Sequence, residues 1–169
     1  MQSLHRKNKA NGFTLIELLV VIAIIGILSS LVLASLYTAQ SKARDTTRAM
    51  SMRQLQNALE IYYNSNNAYP VTNNNWWGDN TFGGNHGITG PNGYIPGLAP
   101  TYIGALPLDP LNNTGYWNGY LYKSNGKSYK LLDHISPESY PSSGEAFYDP
   151  VRPTWAWMLC SGKSACNNW

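Results

Sequence analysis

The chain of 169 residues is predicted to adopt an α+β fold: a long N-terminal α-helix, transmembrane in its first half and amphipathic in its second, packed on a small antiparallel β-sheet domain. Three observations predict it. Residues 13–36 form an apolar run of 24 residues in which Glu17 is the sole charge. An apolar stripe at helical spacing follows it, at Ala49, Met52, Leu55, Leu59 and Tyr62. After residue 65 the composition turns to Asn, Gly, Pro, Tyr and Trp, and two strand-like segments there flank an Asn-Gly turn.

The first element is a basic leader, residues 1–12, with Arg6, Lys7 and Lys9. The whole chain carries twelve Lys and Arg against nine Asp and Glu, so the leader holds the entire excess and the remainder is neutral. Nucleic acid is therefore not expected as a partner, because binding it draws most of its affinity from a basic face that neutralises phosphates.

A helix over residues 13–36 would span about 36 Å at 1.5 Å per residue, enough to cross a bilayer. Leu, Ile and Val dominate the run, with Gly26, Ser29 and Ser30 at its middle, and it has neither strand alternation nor a polar face. The flanking charges hardly orient it, since Lys42, Arg44 and Arg48 answer the leader. The cysteine pair and the Asn- and Tyr-rich remainder favour leader inside and domain outside. A cleavable signal peptide is the competing reading, with Val32, Leu33 and Ala34 as its weak cleavage site. Its apolar core would usually be 7 to 15 residues long, and a carboxylate at its start would hinder it.

Residues 12–17, GFTLIE, followed by the apolar run, resemble the N-terminal motif of the type IV pilin superfamily, which includes the pseudopilins of type II secretion. The resemblance implies cleavage between Gly12 and Phe13 by a membrane-embedded prepilin peptidase, and N-methylation of Phe13. A glycine before the bond suits a tight protease site and interrupts helix. Loss of the leader removes the positive charges that anchor the helix at the cytoplasmic side. Glu17 costs roughly 2 to 3.5 kcal/mol in lipid unless it is paired. The family implies that it meets the Phe13 amine of a neighbouring subunit, setting register as one buried polar pair can in coiled coils. The plainer alternative places Glu17 at the headgroup level.

The stripe extends the helix to about Asn64, some 78 Å in all, with Arg48, Arg53 and Gln56 to its sides. Asn64, Asn66, Asn67 and then Pro70 end it. Domain bounds follow: leader 1–12, assembly helix 13–36, amphipathic continuation 37–65 and globular domain 66–169. The stretch ALEIYYNSNNAYP, residues 58–70, resembles the end of the family helix, and YIGALPLDP, residues 102–110, resembles its approach to the sheet. Residues 73–93 hold too many Gly and Asn for a regular element and read as a surface loop. Residues 119–123 and 128–133 flank Ser124, Asn125, Gly126 and Lys127, which predicts a hairpin. Pro137, Pro141, Pro150 and Pro153 leave the rest mostly loop, with room for a short edge strand at residues 155–158.

Cys160 and Cys166 have no His or further Cys beside them, so a disulfide closing a small loop is expected ahead of a metal site, the alternative being two reduced thiols. No phosphate loop, dinucleotide fingerprint, zinc-protease motif or nucleophile elbow appears, and His86 and His134 lack paired acids, so neither an enzyme nor a cofactor is expected. Asp79 and Asp109 raise calcium, which major pseudopilins bind near the C-terminus through an acidic cluster. Here only Glu145 and Asp149 stand in that stretch, and solvated loop acids are the expectation. Of Trp76, Trp77, Trp117, Trp155, Trp157 and Trp169, most are expected in the core, with Trp76 and Trp77 as a surface pair.

The resemblance implies a structural subunit, held in the inner membrane as a precursor and assembled into a periplasmic or extracellular filament. Its partners would be copies of itself, minor pilins, the peptidase, the inner-membrane assembly platform and lipid. Pilus subunits often bend the run with a proline where Ala34 stands here, which shades the reading toward a pseudopilin or a pilin of a divergent lineage. The alternative is a minor tip pilin acting as an adhesin or as a ligand- or DNA-binding module.

Overall fold

The computed structural model describes residues 13–79, 82–111 and 118–169. Its elements are α1 (Leu15–Asn66), β1 (Trp77–Gly78), β2 (Gly119–Ser124), β3 (Tyr129–His134), β4 (Ala156–Cys160) and α2 (Lys163–Asn168). The fold is α+β, one long apolar helix and a small antiparallel sheet, as predicted. Two compact units divide it, residues up to Gln40 and residues from Ser41 onward.

The first unit is the apolar half of α1, in which every residue from Phe13 to Gln40 is exposed. Its hydroxyls turn back onto the helix: Ser30 Oγ donates to the Ile27 carbonyl at 2.7 Å, and Ser35 and Thr38 donate to Leu31 and Ala34 at 3.1 and 3.2 Å. A hydroxyl satisfied within its own helix can lie among apolar neighbours at little cost.

The second unit holds the sheet, ordered β1-β2-β3-β4, with every pairing antiparallel. Alternation assigns its two faces. Tyr120, Tyr122, Tyr129, Leu131 and Trp157 face the core, where they pack with Met52, Leu55, Ala58 and Leu59 of α1. Leu121, Leu132 and Ala156 form a second small cluster on the other face, under Trp76, Phe82 and Met158.

The hairpin turns at Asn125, whose Oδ1 accepts from the Lys127 and Ser128 amides at 3.0 and 2.9 Å, and Gly126 supplies a positive φ of 87°. The first strand runs one residue further than predicted and the second lies one residue later, because Ser124 pairs with Tyr129 and Gly119 with His134, while the Ser124 hydroxyl caps the turn. The edge strand predicted at 155–158 is β4, one residue later and longer. Cys160 at its end is joined to Cys166 of α2 with Cα atoms 5.4 Å apart. The short helix α2 itself carries no strong sequence signal.

Three expectations are corrected. The segment 73–93 is not wholly irregular: Trp77 and Gly78 pair with Tyr122 and Leu121, adding a fourth strand. A side chain on Gly83 would lie 2.2 Å from the Gly78 amide nitrogen, so the return of this loop requires glycine. The asparagines also have a local reason, since Asn67, Asn73, Asn74 and Asn85 all take φ between 51° and 64°, which Asn tolerates best among residues with a side chain.

The second correction concerns the aromatics. Of the described tryptophans only Trp157 is buried, while Trp76, Trp77 and Trp169 are half-buried and Trp155 is exposed. Tyrosines fill the core instead; the Tyr120 and Tyr129 hydroxyls lie buried without a hydrogen-bond partner among the described residues, while two others reach a main-chain carbonyl. Tyr94 donates to Pro107 at 2.8 Å and Tyr122 to Pro70 at 2.9 Å. Trp117 lies outside the described residues.

The third correction concerns charge. Arg48 is not at the side of the stripe but fully buried, and Asp109 and Asp149 are buried rather than solvated.

Candidate functional site

The first turn of α1 is organised by Thr14 and Glu17. The Thr14 amide and hydroxyl each donate to Glu17 Oε2 at 2.8 Å, and the Glu17 amide donates to Thr14 Oγ1 at 3.3 Å. This is a reciprocal capping box, in which a Thr and a Glu three residues on satisfy the orphan amides of a helix start. The sequence signal was the T-x-x-E spacing itself, inside the motif already singled out. Phe13 precedes the helix and is 87% exposed. Gly12 and the basic residues Arg6, Lys7 and Lys9 lie outside the described residues.

From this cap to Leu36 the helix offers only apolar and small side chains, all uncovered. It is one helix long and apolar enough to cross a membrane. An exposed apolar surface of this extent requires lipid or protein against it.

The domain is tied to the second half of α1 by an ion network. Arg48 Nε and Nη2 donate to the two Asp109 oxygens at 2.6 and 3.1 Å, and Nη1 donates to Asp45 Oδ1 at 2.9 Å. Asp133 lies 3.6 Å from Arg48 Nε. Asp45 in turn accepts from the Glu138 amide at 2.9 Å and the Ser139 hydroxyl at 2.7 Å, while Arg44 pairs with Glu138. Burial pulls Arg48 downward, but the hydrogen bond and charge of Asp109, with the charge of Asp133 and the hydrogen bond to Asp45, raise it above its ordinary value. Burial, aided by the Asp109 charge, pushes Asp133 well above the usual carboxylate range. Sequence reading missed this network, although Asp45 and Arg48 continue the stripe of Met52, Leu55, Leu59 and Tyr62 at spacings of 3, 4, 3, 4 and 3.

The other singled-out residues are not brought together. Asp79 is half-buried beside Gly119, its Oδ1 lacks a hydrogen-bond partner, and burial pushes its pKa up to about 6. Asp149 pairs with the buried Lys130 at 2.9 Å. Glu145 accepts from the Ser142 amide in its own loop. His86 stacks on Trp77 at 4.0 Å, and burial lowers its pKa, while His134 is buried between Phe82 and Trp155. Among the described residues no group of three or more His, Cys, Asp or Glu is arranged to hold a metal ion.

Comparison with known proteins agrees with the motif. The family described as the prokaryotic N-terminal methylation motif matches residues 7–33. The type II secretion system core protein G of Aeromonas hydrophila is 37% identical over 108 residues, covering 64% of this chain and 72% of that protein. Its counterpart in Vibrio cholerae is 34% identical over 123 residues, covering 73% and 77%. The type IV wide pilus major component PilA4 of Thermus thermophilus is 43% identical over 60 residues, covering 36% and 46%. No solved structure matches the chain. The uncovered apolar helix, its Thr14–Glu17 cap and relatives matched over most of their length place this chain in the superfamily of type IV pilins and type II secretion pseudopilins.

Proposed function

We propose that the chain is a structural subunit of a pilus or pseudopilus filament, cleaved between Gly12 and Phe13, N-methylated at Phe13 and assembled through residues 13–36. The observation that carries this reading is the wholly exposed apolar half of α1, whose sole charge, Glu17, lies one helical turn from Phe13. Before cleavage the helix sits in the inner membrane with the domain outside, and the basic leader holds it there. Cleavage removes that anchor and creates an amine at Phe13.

Glu17 then has a choice of partners. In the single subunit its carboxylate is held by Thr14. Beside the Phe13 amine of a neighbouring subunit it would form an ion pair that neutralises both charges inside the apolar bundle. The exchange from the intramolecular cap to the intermolecular amine would mark correct axial register. The prepilin peptidase, an inner-membrane assembly platform and minor subunits are the partners this cycle needs. The relatives named for core protein G support the pseudopilus form, and the PilA4 match supports a pilus.

The test is expression of the full chain with its own assembly system. Mass spectrometry should find mature protein beginning at N-methyl-Phe13, and Gly12→Leu should leave the precursor uncut. Glu17→Ala should be cut normally yet give few or no filaments by electron microscopy. Wild-type abundance of filaments from Glu17→Ala would overturn the pairing.

A further inference from the structure

The face of the sheet turned away from α1 carries an alternating series of rings and cations that filament assembly through α1 does not use. Lys123 Nζ lies 5.3 Å from the Trp169 ring centroid and 5.6 Å from that of Trp76. The Arg152 guanidinium lies 5.4 Å from the same Trp76 ring and 5.8 Å from Trp155. The order is Trp169, Lys123, Trp76, Arg152, Trp155, with each cation over two rings, a geometry in which the ring quadrupole attracts the charge. Lys123 reaches this face because it alternates with Tyr122 and Ser124, which point to the core side.

The charges on this face do not balance. Asp149 pairs with Lys130 at 2.9 Å and with Arg152 at 3.3 Å. The main-chain oxygen of Trp169 accepts from both cations at 2.8 Å. Among the described residues Lys123 has no carboxylate within ion-pair distance. Burial and the Arg152 charge both pull its pKa below the ordinary lysine value. An anion placed here would relieve the repulsion between Lys123 and Arg152.

Trp76, Phe82, Leu121, Leu132, His134, Arg152 and Trp155 line a mostly apolar cavity of about 70 Å³. That is far below the roughly 300 Å³ or more of a pocket enclosing a small molecule. It is too small for the body of a ligand, which would lie outside against Trp155, 43% exposed, with its charge beside Arg152 and Lys123. An exposed apolar ring face with a cation beside it matches a pyranose that bears a carboxylate. The C–H face of such a sugar packs on indole, and its anion takes charge-assisted hydrogen bonds.

We propose that this outer face of the sheet is a binding site for the acidic sugar units of a polysaccharide, with Trp155 stacking the ring and Arg152 and Lys123 taking its carboxylate. Many such units along one chain, met by many subunits along one filament, would turn a weak single contact into firm attachment. The site does not depend on the filament reading, since it lies wholly within the sheet-bearing unit.

The test uses the full chain in detergent micelles, with trigalacturonate, its neutral methyl ester and tri-glutamate as probes, read by tryptophan fluorescence and calorimetry. Trigalacturonate should bind, and more weakly as salt rises, because exposed charges are screened. The methyl ester and tri-glutamate should each bind at least about fivefold more weakly. Trp155→Ala should lower affinity about tenfold, as loss of an aromatic anchor does, while Trp155→Phe should restore most of it. Lys123→Met should lower affinity about threefold and flatten the salt dependence, with near-ultraviolet dichroism unchanged as the check of folding. Absence of trigalacturonate binding up to about 10 mM, equal binding of the methyl ester, equal binding of tri-glutamate, or wild-type affinity in Trp155→Ala would each overturn the proposal.

Discussion

The Arg48 guanidinium, fully buried on α1, grips the Asp109 carboxylate with two hydrogen bonds across 61 positions of sequence. The pair fastens the segment between β1 and β2 to the helix, and Asp45 adds the loop at Glu138 and Ser139 to the same point. Arg suits this position because its planar fork meets a carboxylate bidentately and stays charged when buried.

Removing Asp109 takes the two bidentate bonds from the buried Arg48 and leaves Asp45 as its hydrogen-bonded carboxylate. Asp109→Asn should cost roughly 3–5 kcal/mol, and the melting temperature of the full chain in micelles should fall by about 10 °C or more. Arg48→Met should be worse, because Asp45, Asp109 and Asp133 then face one another without a cation. A melting temperature within error of wild type in either variant would show that the network contributes nothing.

Glu17→Gln separates capping from charge. Glutamine serves at the third helical position of a capping box, so the first turn should keep its form while the carboxylate is lost. Amide hydrogen exchange at residues 14–18 in micelles should stay near wild type, and filaments should disappear. Thr14→Val should do the reverse to exchange, since losing a cap costs about 0.5–2 kcal/mol locally. Filaments at normal abundance in Glu17→Gln would mean that Glu17 acts only as a cap.

Asp79 predicts a pH dependence of defined sign. Burial raises its folded pKa from 3.8 to about 6. The folded state therefore holds its proton more tightly than the unfolded chain does, and stability falls as pH rises from about 4 to about 6, then levels. Asp79→Asn resembles the protonated form. It should raise the melting temperature at pH 7.5 and leave it unchanged at pH 4. Equal melting shifts at both pH values would place the effect elsewhere.

The Cys160–Cys166 bridge holds α2 to the end of β4. Closing so short a loop restricts the unfolded chain by about 2 kcal/mol. Reductant or Cys166→Ser should lower the melting temperature by several degrees and increase amide exchange in α2, leaving the hairpin of β2 and β3 protected. Loss of protection across the whole sheet would show that the bridge supports the entire domain.

By itself the sequence determined whatever a contiguous stretch decides. The length and purity of the apolar run, the GFTLIE motif, the helical stripe from Ala49 to Tyr62, the Asn-Gly hairpin and the strand at residues 155–158 are all consequences of neighbours within a few residues. Tertiary structure alone decided which polar groups went inside. Arg48 meets Asp109, Lys130 meets Asp149, and the two-residue strand at Trp77 finds β2. Such pairings join distant segments, so no local periodicity marks them, and an aspartate in a loop reads the same whether it ends in solvent or beside a buried guanidinium. The tryptophans were misplaced for the same reason. Tyrosine rings fill the space between helix and sheet, and Trp76, Trp155 and Trp169 pack against Lys123 and Arg152 on the other face, a placement that only the packing of distant segments decides.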